Sequence, residues 1–322
     1  MADASIPVDL FNPGQVFACL GFLEAADVLL GEAEGGFDWT DEAKVRFHLR
    51  ASGGQNPFAA VLEFLAQAKP ERWAPIGYVD PPPKKGDAED EDDSPDDGDA
   101  DVDAILGNEN ASLELSETFP AARGDCLALP ILLGRGSSPT IVLGHWADGS
   151  TRETFKLYSG NRSADRIARA MLLGVRKKPT KKQAIGSLEA KGVAQLWQER
   201  HDDMIKQPFD VLTPMGGSFN FDPRGAWTAI DAGYSPNDQK HQVAASPVVE
   251  FLAALGLENA RPYEFETRKV RYSVWGLLLT PTLARVALFG GVTVLPQKSF
   301  RFELAMSGKN KVVNFAQQEI NS

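Results

Sequence analysis

The sequence predicts an α+β fold with mixed, mainly antiparallel sheets, packed helices and an acidic disordered insert. Three observations support this fold class: apolar helical segments that open at a proline, several strand-like segments that follow one another directly, and one run of acidic residues. Successive strands favour antiparallel sheets, because a doubly wound fold alternates each strand with a helix. The 322 residues are 43% hydrophobic and 24% charged, which is the composition of a globular protein.

Helices are predicted from apolar periodicity and from their start signals. The first begins at Asn12-Pro13, where the asparagine is the N-cap, and it ends before Gly31. Its segment is apolar on most sides, which predicts a buried helix. The same start signal recurs at Asn56-Pro57. Two more helices are predicted, over "SPVVEFLAALGLENARP" and over residues 281–289.

Strands are predicted where apolar and polar residues alternate or where a short apolar run lies between turn residues. In "AKVRFHLRA", the apolar Val45, Phe47 and Leu49 alternate with basic residues. The other predicted strands are "ASLELSETF", "LALPILLG", "TIVLGHWA", "FKLYSG", "FDVLTPMGGSFNF" and residues 270–279. A closing hairpin is predicted from "FRFELAMS" and "VVNFAQQ", which flank "GKNK".

The chain divides at its charge extremes into two predicted regions. Residues 1–160 form an N-terminal α+β region that contains the disordered insert 80–104, and residues 161–322 form a C-terminal α+β region with a basic helical segment, 161–206. Residues 86–103 of the insert hold eleven acidic residues and no basic one. The net charge of the chain is −11, so everything outside this run is neutral overall. Such a run stays solvated and forms no core.

A basic stretch gives the strongest functional signal. Residues 152–182 contain ten basic residues and two acidic ones. In "SADRIARAMLLGV", an apolar stripe of Ala164, Ile167 and Met171 predicts an amphipathic helix, and a capping box at Thr180 predicts a following helix that extends to residue 206. The predicted phosphate-binding cations are Arg162, Arg166, Arg169, Arg176, Lys177, Lys178, Lys181 and Lys182. Each phosphate they neutralise releases counterions, which predicts salt-sensitive binding without sequence preference. The alternative is a solvated helix face.

The segment "GSFNFDPRGAWTAIDAGYSPNDQ" combines aromatic residues with turn formers. Aromatic side chains near turns stack on nucleic-acid bases, but Phe219 and Phe221 are two residues apart and share one strand face. We therefore predict that both rings belong to the core, with Trp227 covering them. The residues left freer to bind nucleic acid are Asn220, Arg224, Asn237 and Lys240.

No catalytic constellation is found in the sequence. The chain has no phosphate-binding loop and no nucleophile elbow, and its two cysteines, Cys19 and Cys126, suit packed thiols in a reducing cytoplasm. The adjacent His201, Asp202 and Asp203 leave open a metal-dependent nuclease or phosphohydrolase. A metal site needs further ligands, so a solvated helix end is the favoured interpretation. We expect no catalytic residue, metal or cofactor.

The N-terminus lacks the basic region of a signal peptide, and the apolar segment 14–30 is short for a membrane span and contains two acidic residues. We therefore expect a cytoplasmic protein without a membrane partner.

Two passages of the chain resemble a known family. "SIPVDLFNPGQVFACLGFLEAADVLLGEAEGGFDW" and "SFNFDPRGAWTAIDAGYSPNDQ", followed by "SPVVEFLAALGLENARP", resemble the compact large-subunit-like component of the type I-U (also called I-G) CRISPR surveillance complex, Cascade. The resemblance runs through both ends of the chain. It does not include the acidic run.

The resemblance implies a non-catalytic subunit of an RNA-guided complex in antiviral defence. The implied partners are the CRISPR guide RNA, target double-stranded DNA, the backbone and guide-processing subunits of Cascade, and a transiently recruited helicase-nuclease. Pairing with the guide RNA reads the target, whereas the protein contacts the short protospacer-adjacent motif and helps to open the duplex. A purely structural protein-interaction subunit, in which the acidic insert is the working part, is a further alternative.

Overall fold

The computed structural model describes ten stretches of the chain: residues 1–73, 131–134, 139–144, 155–158, 164–177, 187–215, 217–225, 243–292, 294–307 and 310–319. Their helices and mostly antiparallel strands confirm the predicted α+β class. The acidic insert lies outside the described residues.

Seven helices occur in the described residues. They are α1 (Pro13–Leu30), α2 (Pro57–Gln67), α3 (Ala164–Leu173), α4 (Val193–Glu199), α5 (His201–Lys206), α6 (Pro247–Gly256) and α7 (Pro281–Leu288). The predicted start signals are confirmed: the Asn12 side chain accepts a hydrogen bond from the backbone N–H of Gln15, and Asn56 caps α2 in the same way. Ser246 caps α6. Each cap satisfies backbone donors that the first helical turn leaves unpaired.

The described strands are short except in the C-terminal sheet. They are β1 (Ala2–Pro7), β2 (Glu34–Asp38), β3 (Arg46–Ala51), β4 (Lys69–Arg72), β5 (Ile131–Gly134), β6 (Ile141–Leu143), β7 (Val175–Arg176), β8 (Leu188–Ala190), β9 (Thr213–Pro214), β10 (Ala244–Ala245), β11 (Tyr263–Glu266), β12 (Lys269–Trp275), β13 (Gln297–Ser307), β14 (Asn310–Val313) and β15 (Gln317–Gln318). The order is β1-β3-β2 in the first sheet, β4-β5-β6 in the second and β11-β12-β13-β14 in the third, where β15 also pairs with β13. The predicted closing hairpin is confirmed as β13 and β14, with Leu304 opposite Val313.

The crossing of α1 and α6 forms the centre of the core. A Cβ atom on Gly21 would clash with the carbonyl oxygen of Leu252, and one on Gly256 would clash with that of Phe17. Each helix thus has a bare backbone where the other approaches, and aromatic rings such as Phe22 fill the space around the crossing. The core joins residues from both predicted regions, while their separation at residue 160 stays a prediction.

Helix α1 is long and apolar enough to cross a membrane, yet most of it is buried within the fold. Its first fourteen residues, Pro13 to Ala26, are all buried. This is the environment of a core helix.

Three predicted elements differ from the structure. Residues 155–158 form no strand although Phe155, Leu157 and Tyr158 are buried, because alternation ensures burial and not pairing with a neighbour. The long helix predicted after α3 is replaced over 187–206 by β8, α4 and α5.

A strand was predicted over residues 209–221, and the described residues of that range contain only the two strand residues of β9. Asn220, with a φ of 67°, has a left-handed backbone that a strand does not accommodate.

Candidate nucleic-acid interface

Helix α3 presents two of the predicted cations on its outer side. Ala164, Ile167 and Met171 are buried, which confirms the predicted amphipathic helix. Arg166 is exposed and Arg169 is half-buried. Because α3 packs against α4 and α6, its orientation and therefore its arginine face are fixed by the core.

The next two predicted cations follow α3 directly. Gly174, with a φ of 75°, turns the chain out of the helix and into β7. Arg176 lies opposite Leu188 in the β7–β8 pair. The Lys177 Nζ lies 3.6 Å from a carboxylate oxygen of Glu189, so part of its charge is balanced locally. The basic surface thus continues from α3 onto a small hairpin.

The segment 217–225 lies beside α3. A Cβ atom on Gly217 would lie 3.5 Å from the Cβ of Ala170 in α3. The fold therefore brings together the two segments that the sequence analysis selected, although 40 residues or more separate them along the chain.

The aromatic residues of this segment have the predicted core role. Phe219 and Phe221 are both about 1% exposed, and the Phe219 ring lies 5.9 Å from that of Tyr158. Asn220, between them, is half-buried, and its carbonyl oxygen accepts a hydrogen bond from the backbone N–H of Val313. Asn220 keeps part of its side chain at the surface, and its contact with nucleic acid stays a prediction.

Arg224 is less available than the sequence suggests. Its guanidinium donates to both carboxylate oxygens of Asp222, at 2.7 to 3.1 Å, and to the carbonyl oxygen of Phe209 at 2.9 Å. Only 21% of its side chain is exposed. The expectation that Arg224 is freer to bind is corrected on this point, because its Nε and Nη2 donors are committed to Asp222 and to the carbonyl oxygen of Phe209. A nucleic-acid contact by the exposed remainder stays untested.

Asp222 is the centre of a buried polar network. Its carboxylate accepts hydrogen bonds from the side-chain amide of Asn12, at 3.2 Å, and from the backbone N–H of Ser246, at 3.1 Å. One carboxylate thus ties the segment 217–225 to the first turns of both α1 and α6.

Glu250 forms a second anchor for the same segment. Its carboxylate accepts from the backbone N–H groups of Phe221, at 3.1 Å, and Asp222, at 2.7 Å. Burial, and then the nearby charge of Asp222, raise the pKa of Glu250 to about 7. Sequence reasoning missed this residue, although a lone carboxylate within the apolar "SPVVEFLAALG" was an available signal.

The alternative metal site does not gain further ligands. His201 begins α5 at the surface, with 52% of its side chain exposed, and its Nδ1 lies 3.2 Å from the carboxylate of Asp202. Asp203 is already paired with Arg200. Within the described ranges, no group of three or more His, Cys, Asp or Glu side chains is placed to hold a metal ion. Cys19 is buried, and burial raises the pKa of its thiol, as expected of a packed cysteine.

The remaining predicted site residues lie outside the described residues. They are Arg162, Lys178, Lys181, Lys182, Asn237 and Lys240, and Trp227 belongs with them.

Comparison of the chain with protein-family models, with curated proteins and with solved structures finds no match.

Proposed function

We propose that the chain is a non-catalytic, nucleic-acid-binding subunit of an RNA-guided type I CRISPR surveillance complex that acts in the cytoplasm. The observation that carries the binding function is the placement of α3, which contacts the segment 217–225 through Ala170, presents two arginines on its other side and is followed directly by the basic strand β7. The complex in which this surface acts is suggested by the resemblance of the N-terminal and central passages to the type I-U family.

The surface is suited to the phosphate backbone. Arg166 and Arg169 lie on one side of a helix, and Arg176 and Lys177 continue the charge at its end. Arginine and lysine at such spacing bind phosphates through charge and hydrogen bonds without reading base edges. In this proposal, the guide RNA reads the target sequence, and this subunit holds guide or target strands, helps recognition of the protospacer-adjacent motif and helps duplex opening.

Co-purification with the neighbouring gene products tests the proposal. The tagged full chain is expressed with the proteins encoded beside it, and the RNA and proteins of the eluate are identified. The proposal expects small repeat-derived RNA together with several other subunits. A monomer that elutes without RNA and without those subunits would overturn it, and a divalent-metal cleavage assay would then test the His201 alternative.

A deletion of residues 86–103 separates the proposal from the purely structural alternative. If the acidic run is the working part, its deletion abolishes assembly. If the basic surface is the working part, assembly and nucleic-acid binding are retained or strengthened, because eleven negative charges are removed.

A further inference from the structure

A cleft lies at the far end of the β7–β8 hairpin, where β8, β9 and α4 meet. Its volume is about 310 Å³. It is lined by Leu188, Glu189, Lys191, Leu196, Arg200, Leu212, Thr213 and Pro214. The backbone N–H of Lys191 donates to the Thr213 hydroxyl at 3.3 Å, which fixes β8 against β9 across the cleft.

The lining has an apolar part and a charged part, and the charged part consists of two cations, Lys191 and Arg200, and one carboxylate, Glu189, which is paired with Lys177. Leu188, Leu196 and Leu212 supply the apolar surface, and Leu212 is 39% exposed there. Lys191 and Arg200 supply two cations, and both of these residues are exposed. A ligand that fills the cleft therefore needs a flat or apolar body and an anionic group.

Each of the two cations already has a carboxylate neighbour, but each has more hydrogen-bond donors than that neighbour uses. Lys191 pairs with Glu199 through its ammonium group, which has three donors in all. Arg200 contacts Asp203 through Nε and Nη2 at 3.0 and 2.9 Å, whereas its guanidinium has five donors. Exposed pairs of this kind contribute little stability, so a phosphate competes for these cations at small cost.

Two predicted cations that follow α3 border this cleft. Arg176 lies directly opposite Leu188, one of the apolar lining residues, and Lys177 pairs with Glu189, another lining residue. The end of the basic stretch thus lies next to two lining residues of the cleft. The cleft volume of about 310 Å³ lies at the lower end of the range for small-ligand sites, which suits one nucleotide.

We propose that this cleft binds one nucleotide of a single-stranded RNA or DNA, with its phosphate between Lys191 and Arg200 and its base on Leu188 and Leu212. The inference deepens the proposed function and rests on the chain binding nucleic acid. Sequence-tolerant binding is expected, because the lining offers apolar contact and charge and every base has a face that packs on such a surface.

Binding of a fluorescein-labelled hexauridylate to the full chain, followed by anisotropy at low salt, tests the cleft. Lys191→Ala with Arg200→Ala is expected to weaken binding about tenfold or more, because the variant removes two charge-assisted hydrogen-bonding groups that hold the phosphate. Lys44→Ala with Arg301→Ala removes the same charge from exposed positions elsewhere and serves as the matched control. That control pair is expected to change affinity less than about twofold.

A second double variant, which is expected to strengthen binding instead of weakening it, sharpens the test. Glu199→Gln with Asp203→Asn removes the competing carboxylates and is expected to tighten binding about threefold or more. A merely structural role of the two ion pairs predicts no tightening. Equal effects of the cleft variant and the control variant, or no tightening by Glu199→Gln with Asp203→Asn, would overturn the proposal.

The base position is read separately by photocrosslinking. A hexauridylate with one 4-thiouridine is expected to crosslink within residues 188–214, and the crosslink is expected to disappear in the Lys191→Ala, Arg200→Ala chain. Crosslinks confined to other peptides would refute the assignment of the base. If the complex assembles normally but the cleft binds no oligonucleotide, only this inference is refuted. If the cleft binds the oligonucleotide but the chain never assembles with other subunits, only the Cascade proposal is refuted.

Discussion

The segment 217–225 and helix α3 touch each other at Gly217, yet they hold their charges in opposite ways. In the segment, Asp222 and Arg224 face inward and pair with each other. The carboxylate of Glu250 in α6 accepts a hydrogen bond from the backbone N–H of Asp222. On α3, Arg166 faces outward from a helix whose other side is core. The comparison teaches that a cation in a turn-rich, aromatic segment can serve the fold, while a cation on an amphipathic helix is presented to the solvent.

The largest expected effect is on the inward-facing side. Asp222→Ala leaves the amide of Asn12, the guanidinium of Arg224 and the backbone N–H of Ser246 without their buried acceptor. We expect a loss of about 3–5 kcal/mol in the free energy of unfolding, since breaking a buried pair leaves an uncompensated charge. Urea unfolding measures it. A loss below about 1 kcal/mol would show that the network does not anchor the segment.

The pH dependence of stability tests the second anchor. The pKa of Glu250 is about 7 in the fold against 4.5 for the free side chain, so between these values the folded chain holds a proton that the unfolded chain has released. The contribution of this group to stability is therefore full below about pH 4.5, falls as the pH rises, and has been lost above about pH 7. The resulting loss in the free energy of unfolding is a few kcal/mol.

Glu250→Gln supplies the control, because glutamine does not titrate. The unfolding free energy of the natural chain minus that of this variant is expected to fall by a few kcal/mol as the pH rises from about 4.5 to about 7, because only the natural chain loses the proton of Glu250. A difference that stays constant over this range would assign Glu250 an ordinary pKa. Subtracting the two curves removes the contributions of the other carboxylates.

A smaller loss of stability is expected when Arg224 is replaced by a residue of the same charge but a different hydrogen-bonding geometry. Arg224→Lys retains a cation beside Asp222 but cannot reproduce the two parallel hydrogen bonds or reach the carbonyl of Phe209 in the same way. We expect a loss of about 1–2 kcal/mol in thermal or urea unfolding, with unchanged salt dependence of nucleic-acid binding. Arg301→Lys at an exposed strand position is the control and is expected to change neither quantity. A change in salt dependence alone would reassign Arg224 to the binding surface.

Helix positions were predictable from the sequence because their start signals are local. Asn12-Pro13 and Asn56-Pro57 each place a capping oxygen and a proline at the first turn, and neither depends on distant residues. The strand over 155–158 was predicted wrongly because pairing depends on what lies beside it, and there the described residues provide a hydrogen bond from the N–H of Lys311 to the Leu157 carbonyl but no strand ladder. A pattern of side chains determines burial more directly than it determines partners.

In the candidate site, too, the residues whose position follows from a local pattern were predictable, and those whose position depends on distant residues were not. The outward face of α3 follows from its 3.6-residue period, so Arg166 and Arg169 were predictable. The inward turn of Arg224 was not, because it depends on Asp222, on Phe209 and on two helices that begin far away in the sequence. The cleft between β8 and β9 was missed for a similar reason: a long helix was predicted there, and its lining comes together through contacts among β8, β9 and α4, such as the hydrogen bond from Lys191 to Thr213.

The smallest expected effect on stability lies on the outward-facing side, where the functional effect is greatest. Arg166→Ala with Arg169→Ala is expected to change the free energy of unfolding by less than about 0.5 kcal/mol per site, as surface substitutions do. Its expected effect on binding is weaker affinity for all sequences alike. The slope of log affinity against log salt should fall by up to about two, one for each phosphate that the variant no longer neutralises.

Measured on the assembled complex or on the chain alone, this slope distinguishes the two regions of the molecule. Lys44→Ala with Arg301→Ala removes the same charge from other exposed positions and is expected to leave the slope unchanged. If both variants lower the slope equally, the arginine face of α3 is an ordinary solvated surface. If only the α3 variant lowers it while Asp222→Ala lowers stability, then two neighbouring parts of the fold have separate tasks: the buried Asp222 and Glu250 hold the segment in place, and the arginines of α3 bind the phosphates.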